Sequence, residues 1–190
     1  MNRSKRPQKV ALINLAGTSD AREEADLLLA DMAEAGTVYE RRSGVEAQIV
    51  FEQVGGTNKL TGYGAVVLGL DIADACFEDA LRGLDEGTVA YAMLICGDRV
   101  AEDALGILSI LGESCDAQGL VWGGGVAVAH SQTVAAFKRS CRLGFWRRPT
   151  SEAIDGLLVA IRCGEEAGNI AAKQGAVRRA ACWVLARVAG

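Results

Sequence analysis

Of the 190 residues only 2 are proline, 1 is histidine and about one in twenty is aromatic. With a single histidine, His130, a histidine-rich metal centre is excluded, and general-base chemistry has one candidate with no evident acidic or cysteine partner. Ser131 beside it makes no triad, and no G-x-S-x-G turn occurs. The 6 cysteines, Cys76, Cys96, Cys115, Cys141, Cys163 and Cys182, never approach a C-x-x-C spacing. They read as reduced thiols that pack as small hydrophobes, not as zinc ligands or a redox pair. Long apolar runs are also missing. No stretch nears the roughly 18 residues that a membrane span needs, and the apolar run after the charged start "MNRSKRPQKVALINLAG" is about five residues, too short for a secretory core. A cytoplasmic protein without a membrane partner is expected. With 20 Lys and Arg against 24 Asp and Glu, the net charge of −4 argues against a general nucleic-acid binder.

What is abundant is glycine, 23 residues, and apolar side chains, half the chain. A core can therefore form without metals or disulfides. Five short runs rich in Val, Ile and Leu recur: "KVALINL", "AQIVFEQV", "AVVLGL", "TVAYAMLICG" and "GLVWGGGVAVA". Except for the last they are continuous and not alternating, as strands covered on both faces are. Helical periods lie between them. Ala21, Ala25, Leu28, Leu29 and Met32 mark one helix, with Gly36 as its expected end. Phe77, Ala80, Leu81 and Leu84 mark another, and Ala101, Ala104, Leu105, Leu108 and Leu111 a third. Val134, Phe137, Cys141 and Phe145 give a weak period, and Ala153, Ile154, Leu157, Leu158 and Ile161 a strong one after Pro149. The stretch "EQVGGTNKLTGYG" reads as a long loop.

Alternating strands and helices predict a doubly wound α/β domain: five parallel strands in the order 2-1-3-4-5, helices on both faces, and an extra C-terminal helix. Residues 1–8 read as a flexible start and 9–168 as the domain. Residues 169–190 read as a helix with Ile170, Val177, Ala181, Val184, Leu185 and Val188 on one face, packed on the domain or on an oligomer partner.

In such a sheet ligands bind beyond the carboxyl ends of the strands, where the strand order reverses. That point is flanked by "NLAGTSDAR", "GLDIADA" and "CGDRVA". Thr18 and Ser19 stand where a helix begins, so their hydroxyls and the free amides of the first turn suit a phosphate. Asp20 with Glu23 three residues on equally suits a capping box, and the sequence alone leaves both readings open. A dinucleotide fingerprint is absent, since one glycine stands where G-x-G-x-x-G needs three; Glu52 is the only hint of a ribose partner. Gly123, Gly124 and Gly125 imply a bulge or tight helix packing in the fifth strand, or the close approach of a ligand. Lys138, Arg139, Arg142, Arg147 and Arg148 form a basic stretch that reads as a solvated helix face or an anion site.

The Ser/Thr turn after the first strand, "YGAVVLGLDIADACFEDALRGLDEGTVAYAMLICGD" in the middle and "RRPTSEAIDGLLVAIRCGEE" near the end together resemble the flavodoxin-like NAD(P)H-dependent FMN reductases over residues 9 to 166. The resemblance implies that Thr18, Ser19 and Arg22 hold the FMN phosphate, that Leu70, Asp71, Ile72, Ala73 and Asp74 line the flavin ring, and that Gly97, Asp98 and Arg99 flank it. No catalytic side chain and no metal is implied, because the flavin carries the redox step, with NAD(P)H as electron donor and a small molecule as acceptor. The sequence departs from the family in the loop after the third strand. The family's loop usually reads as a Gly, Pro and aromatic segment, where this chain has "GLDIADACF", and Asp71 with Asp74 brings negative charge to a ring that becomes anionic on reduction. That departure supports an alternative, a non-enzymatic flavodoxin-like scaffold with a degenerate flavin site that acts through protein association.

Overall fold

A computed structural model describes residues 7–44, 49–55, 60–72, 77–97, 101–129 and 137–172. The elements run β1 (Lys9–Asn14), α1 (Ser19–Ser43), β2 (Val50–Val54), β3 (Ala65–Asp71), α2 (Glu78–Leu81), β4 (Val89–Ile95), a 3₁₀ turn (Ala101–Ala104) leading into α3 (Leu105–Ala117), β5 (Val121–Val128), α4 (Arg148–Cys163) and β6 (Gly168–Ala172). All strand pairs are parallel, in the order β2-β1-β3-β4-β5-β6. The five expected strands are present in the expected order.

The continuous apolar runs have the cause inferred for them, since helices cover both faces of the sheet. Successive residues of one strand enter opposite cores. Val10 and Leu12 of β1 meet α1 and α4 through Leu28, Met32, Ile154 and Leu158. Ala11 and Ile13 belong to the other layer, with Leu81, Leu108 and Leu111. This alternation on a parallel sheet leaves no face for polar side chains.

Four expectations need correction. The sheet has six strands, not five, because Gly168–Ala172 pairs with β5 in the register Gly124↔Gly168 to Val128↔Ala172. Ile170 therefore lies in a strand and not on a C-terminal helix, and the sheet extends past residue 168. Five residues, GNIAA, are too few to separate a period of 2 from one of 3.6. Gly164 and Gly168, both at positive φ, turn the chain from α4 into the new strand. The remainder of the expected helix, with Val177 to Val188, lies outside the described residues.

Gly36 does not end α1. The helix continues to Ser43 and closes on Gly44 at φ 64°, while Gly36 is buried where an added Cβ would lie 2.4 Å from the Phe51 ring. The helix after β3 is a single turn, Glu78–Leu81, with Phe77 and Leu81 buried beside it. The weak helix expected around Phe137 to Phe145 is a series of turns over 137–147, and its earlier part lies outside the described residues.

The fifth-strand glycines show the close packing expected of them. The pairing of β4 with β5 slips between Ala90 and Tyr91, so Gly123 is the bulged residue. A Cβ on Gly123 would stand 2.3 Å from the Tyr91 ring, and one on Gly125 would stand 2.7 Å from Leu108 of α3.

Candidate functional site at the carboxyl edge of the sheet

The strand order turns back between β1 and β3, and the loops leaving these two strands lie side by side. The pairing continues one residue past β1, with Leu15 N–H donating to Gly69 O at 2.8 Å. Asn14 then organises the turn. Its Oδ1 accepts from Ala16 N–H at 3.0 Å, and its Nδ2 donates to Arg22 O at 2.8 Å and to Asp26 Oδ1 at 2.7 Å. A side-chain amide that both donates and accepts is well suited to this position. Sequence reasoning does not single out Asn14; its one signal is a polar residue closing an apolar strand.

Gly17, Thr18 and Ser19 follow, all exposed, at the head of the 25-residue helix α1. Thr18 is the N-cap: its Oγ1 accepts from Ala21 N–H at 3.3 Å. The capping box expected from Asp20 and Glu23 is thus replaced by Thr18, with Asp20 inside the first turn, where its charge complements the helix dipole. Ser19 Oγ donates to Asp20 Oδ1 at 3.2 Å.

Arg22 turns toward its own loop. Its Nε donates to Ala16 O at 2.7 Å, so the side chain clasps the β1–α1 turn from the helix side. Together with Asn14 it fixes the turn by four hydrogen bonds.

From the neighbouring strand, Asp71 stands half-buried at the end of β3, and its Oδ2 accepts from Thr18 Oγ1 at 3.3 Å. Leu70 is buried in the α3-side core. Ile72 is half-buried, with its N–H donating to Ile95 O at 3.1 Å. Gly97, at φ 56°, begins the turn after β4. Ala73, Asp74, Asp98 and Arg99 lie outside the described residues, as do His130 and Ser131. Of the expected set, Thr18, Ser19, Asp71, Ile72 and Gly97 are thus brought to one edge.

Glu52 is elsewhere. It faces Ala11 across the pairing of β1 and β2, and it accepts from Tyr63 Oη at 2.7 Å and Lys9 Nζ at 3.2 Å. The Tyr63 hydrogen bond, then that of Lys9, holds its carboxyl below the usual carboxylate range. With Lys9 opening β1 and Tyr63 preceding β3, the pair belongs toward the amino edge, so Glu52 is not placed as a ribose partner.

The basic stretch is solvated only in part: Lys138, Arg139 and Arg148 are exposed, but residues 137–147 form turns and not a helix, and Arg142 and Arg147 turn inward. Arg147 is buried and donates to Asp31 of α1, Arg142 donates to Asp155 at 2.6 Å, Arg148 to Glu152 at 2.7 Å and Lys138 to Glu23 at 3.5 Å. Four of its five cations have carboxylate partners within the chain, and the buried or half-buried two, Arg147 and Arg142, are held by theirs away from any anion.

At the carboxyl edge, the first-turn amides at Ser19 and Asp20 offer donors to an anion, while the single hydroxyl protons of Thr18 and Ser19 are given to Asp71 and Asp20. Asp71 offers an acceptor beside them, which suits a ligand hydroxyl and opposes a second anion. No protein-family model matches the chain, and no curated protein matches it.

Proposed function

We propose that this edge binds FMN and that the protein is a flavodoxin-like oxidoreductase, taking electrons from NAD(P)H and passing them to a small acceptor, as a homo-oligomer. The observation that supports the reading is the meeting of Thr18 and Asp71 at 3.3 Å. It brings the head of α1 and the end of β3 to one point, where the strand order reverses and a parallel sheet takes its ligand.

A phosphoryl group fits against the Gly17–Ser19 turn, which the Asn14 and Arg22 bonds hold ready. Asp71 fits the hydroxylated chain that separates phosphate from ring in this cofactor, because a carboxylate accepts from hydroxyls. A bound flavin supplies hydride exchange with the nicotinamide; the chain supplies position and field. Asp71 near the site makes that field negative, which favours the oxidised, uncharged ring over the reduced anion.

The test is a visible spectrum of the purified protein, followed by FMN titration and NAD(P)H oxidation. Flavin absorbance, or saturable quenching of FMN fluorescence, is expected. A colourless protein that does not quench FMN removes the reading.

The same contact favours a second reading. If Asp71 stays on Thr18, and Arg22 on Ala16, the phosphate position is filled by the chain's own groups. The domain then serves as a scaffold that works through protein association, and the absence of FMN binding by a folded protein is its expected signature.

A further inference from the structure

The connection from β5 through α4 to β6 runs against the hand of the others. Through α1 the chain moves from β1 to β2 at one end of the sheet, and through α3 it moves from β4 to β5, toward the other end. Leu28 and Met32 of α1 pack in one layer, Leu108 and Leu111 of α3 in the opposite one. Opposite direction on the opposite face is the same hand. The step from β3 to β4 shares it, since Leu81 of α2 lies in the layer of α3. From β5 to β6 the chain moves in the direction of α3, yet Ile154, Leu157 and Leu158 of α4 lie in the layer of α1. This crossover has the other hand. Right-handed units make up about 98% of such crossovers, because strand twist lets the helix pack back onto the sheet only that way. The one reversed unit beside three that agree is the strained one.

The hinge of that unit is short. Four residues, Gly164 to Ala167, separate α4 from β6. Gly164 and Gly168 stand at φ 67° at its two ends, and Glu165 and Glu166 between them are exposed. A short hinge under strain favours exchange of the element beyond it between two copies of a chain.

The slot that takes β6 shows what fills it. Gly124 lets the backbone of Gly168 approach so closely that an added Cβ would lie 2.3 Å from Gly168 O, and the pairing runs on to Val128↔Ala172. Asn169 fixes the register: its Oδ1 accepts from Trp122 Nε1 at 3.3 Å, and its Nδ2 donates to Ser109 Oγ at 3.4 Å. All these partners stand on β5 or α3, before the hinge in the chain. The β6 of a second copy therefore meets them equally well. Exchange keeps every contact of the slot and relieves the reversed crossover, because the chain no longer returns to its own sheet.

We propose that two copies of this chain exchange β6 across a two-fold axis, each strand filling the slot beside β5 of the other. A four-residue hinge spans about 13 Å when extended, so the β5 edges of the two sheets lie close to the axis. The exchange gives the homo-oligomer of the reading above its contact and stands without flavin binding.

Two measurements on the full chain test it. A Ser109→Cys chain and an Asn169→Cys chain carrying a different tag are unfolded together in urea, refolded and oxidised. They are expected to give a disulfide-linked pair of the two chains, since these side chains meet only where β6 of one copy lies against α3 of the other. Wild-type chains treated alike control for the native cysteines. In sedimentation velocity at micromolar concentrations, wild type is expected at twice the chain mass. A variant with Gly-Ser-Gly-Ser inserted between Glu166 and Ala167 is expected at the chain mass, because a longer hinge lets β6 return to its own sheet. Wild type at the chain mass, a folded insertion variant that still dimerises, or a mixed cross-link no greater than the wild-type control would overturn the proposal. So would a Ser109→Cys, Asn169→Cys double variant that closes only within its own chain. None of these outcomes depends on whether FMN binds.

Discussion

Thr18 Oγ1 accepts from Ala21 N–H and donates to Asp71 Oδ2, so one hydroxyl caps α1 and joins it to the end of β3. A phosphate at the helix head would share Thr18 with a carboxylate. The two negative groups would repel across a few ångströms in a partly solvated setting. Asp71→Asn keeps the size and an acceptor while removing the charge. FMN affinity, read by fluorescence quenching, is expected to rise about three- to tenfold, and the gain should shrink at high salt. Unchanged affinity would place the phosphate away from Asp71.

Arg147 and Asp31 form a buried pair between the Phe137–Arg147 segment and α1. Removing one partner leaves the other charged and without its counter-ion in a nearly dry place. Arg147→Ala and Asp31→Ala are each expected to lower unfolding free energy by about 3–5 kcal/mol. The double variant Asp31→Leu, Arg147→Met should cost much less than the two single losses combined, because no lone charge remains. Urea denaturation of these variants and wild type checks this; a double variant that loses as much as the two single variants together would overturn it.

Tyr91 gives the fold an alkaline limit. Burial, and secondarily the nearby Glu166 charge, pushes its phenol up to about 12 from an ordinary 10.0, and its hydroxyl donates to Glu165 O at 3.2 Å. The folded state thus keeps the proton longer than the unfolded chain. Stability linked to this phenol is intact below about pH 10 and falls as pH rises toward 12, because there the unfolded chain binds fewer protons. Urea midpoints measured from pH 8 to 12 should fall more steeply above pH 10 for wild type than for Tyr91→Phe. Parallel curves would show that Tyr91 does not set the limit.

The strands were legible because burial on both faces demands unbroken apolar runs, and five such runs stand out. β6 was not legible: Gly168–Ala172 is short and only partly apolar, and its place is set by β5, more than forty residues earlier in register. At the site, the sequence marked Thr18 and Ser19 as a helix start but could not separate cap from phosphate contact. Both uses need the same hydroxyls at the same backbone position. The inward turn of Arg22 depends on where the Ala16 carbonyl points, which local pattern does not encode. The two inward arginines of the basic stretch were hidden for a related reason. Arg147 finds Asp31 at a separation of 116 residues, and a run of charges carries no mark of partners that only the fold brings close.

The glycines of β5 and α1 make the last prediction, because the same substitution should act differently at each. At Gly124 the backbone has φ 108°, and a Cβ would lie 2.3 Å from Gly168 O, a backbone atom of the paired strand β6. Neither the torsion nor the carbonyl can yield without breaking the β5–β6 pairing. Gly124→Ala is expected to cost about 2–5 kcal/mol from overpacking and backbone strain together. At Gly36 the Cβ would meet the Phe51 ring at 2.4 Å. That ring is half-buried on edge strand β2 and can turn aside, and alanine gains about 1 kcal/mol over glycine inside a helix. Gly36→Ala should therefore stay within about 1.5 kcal/mol of wild type. Equilibrium unfolding of both variants decides the matter, and a larger loss at Gly36 than at Gly124 would show that β6 is not held to β5 at Gly168.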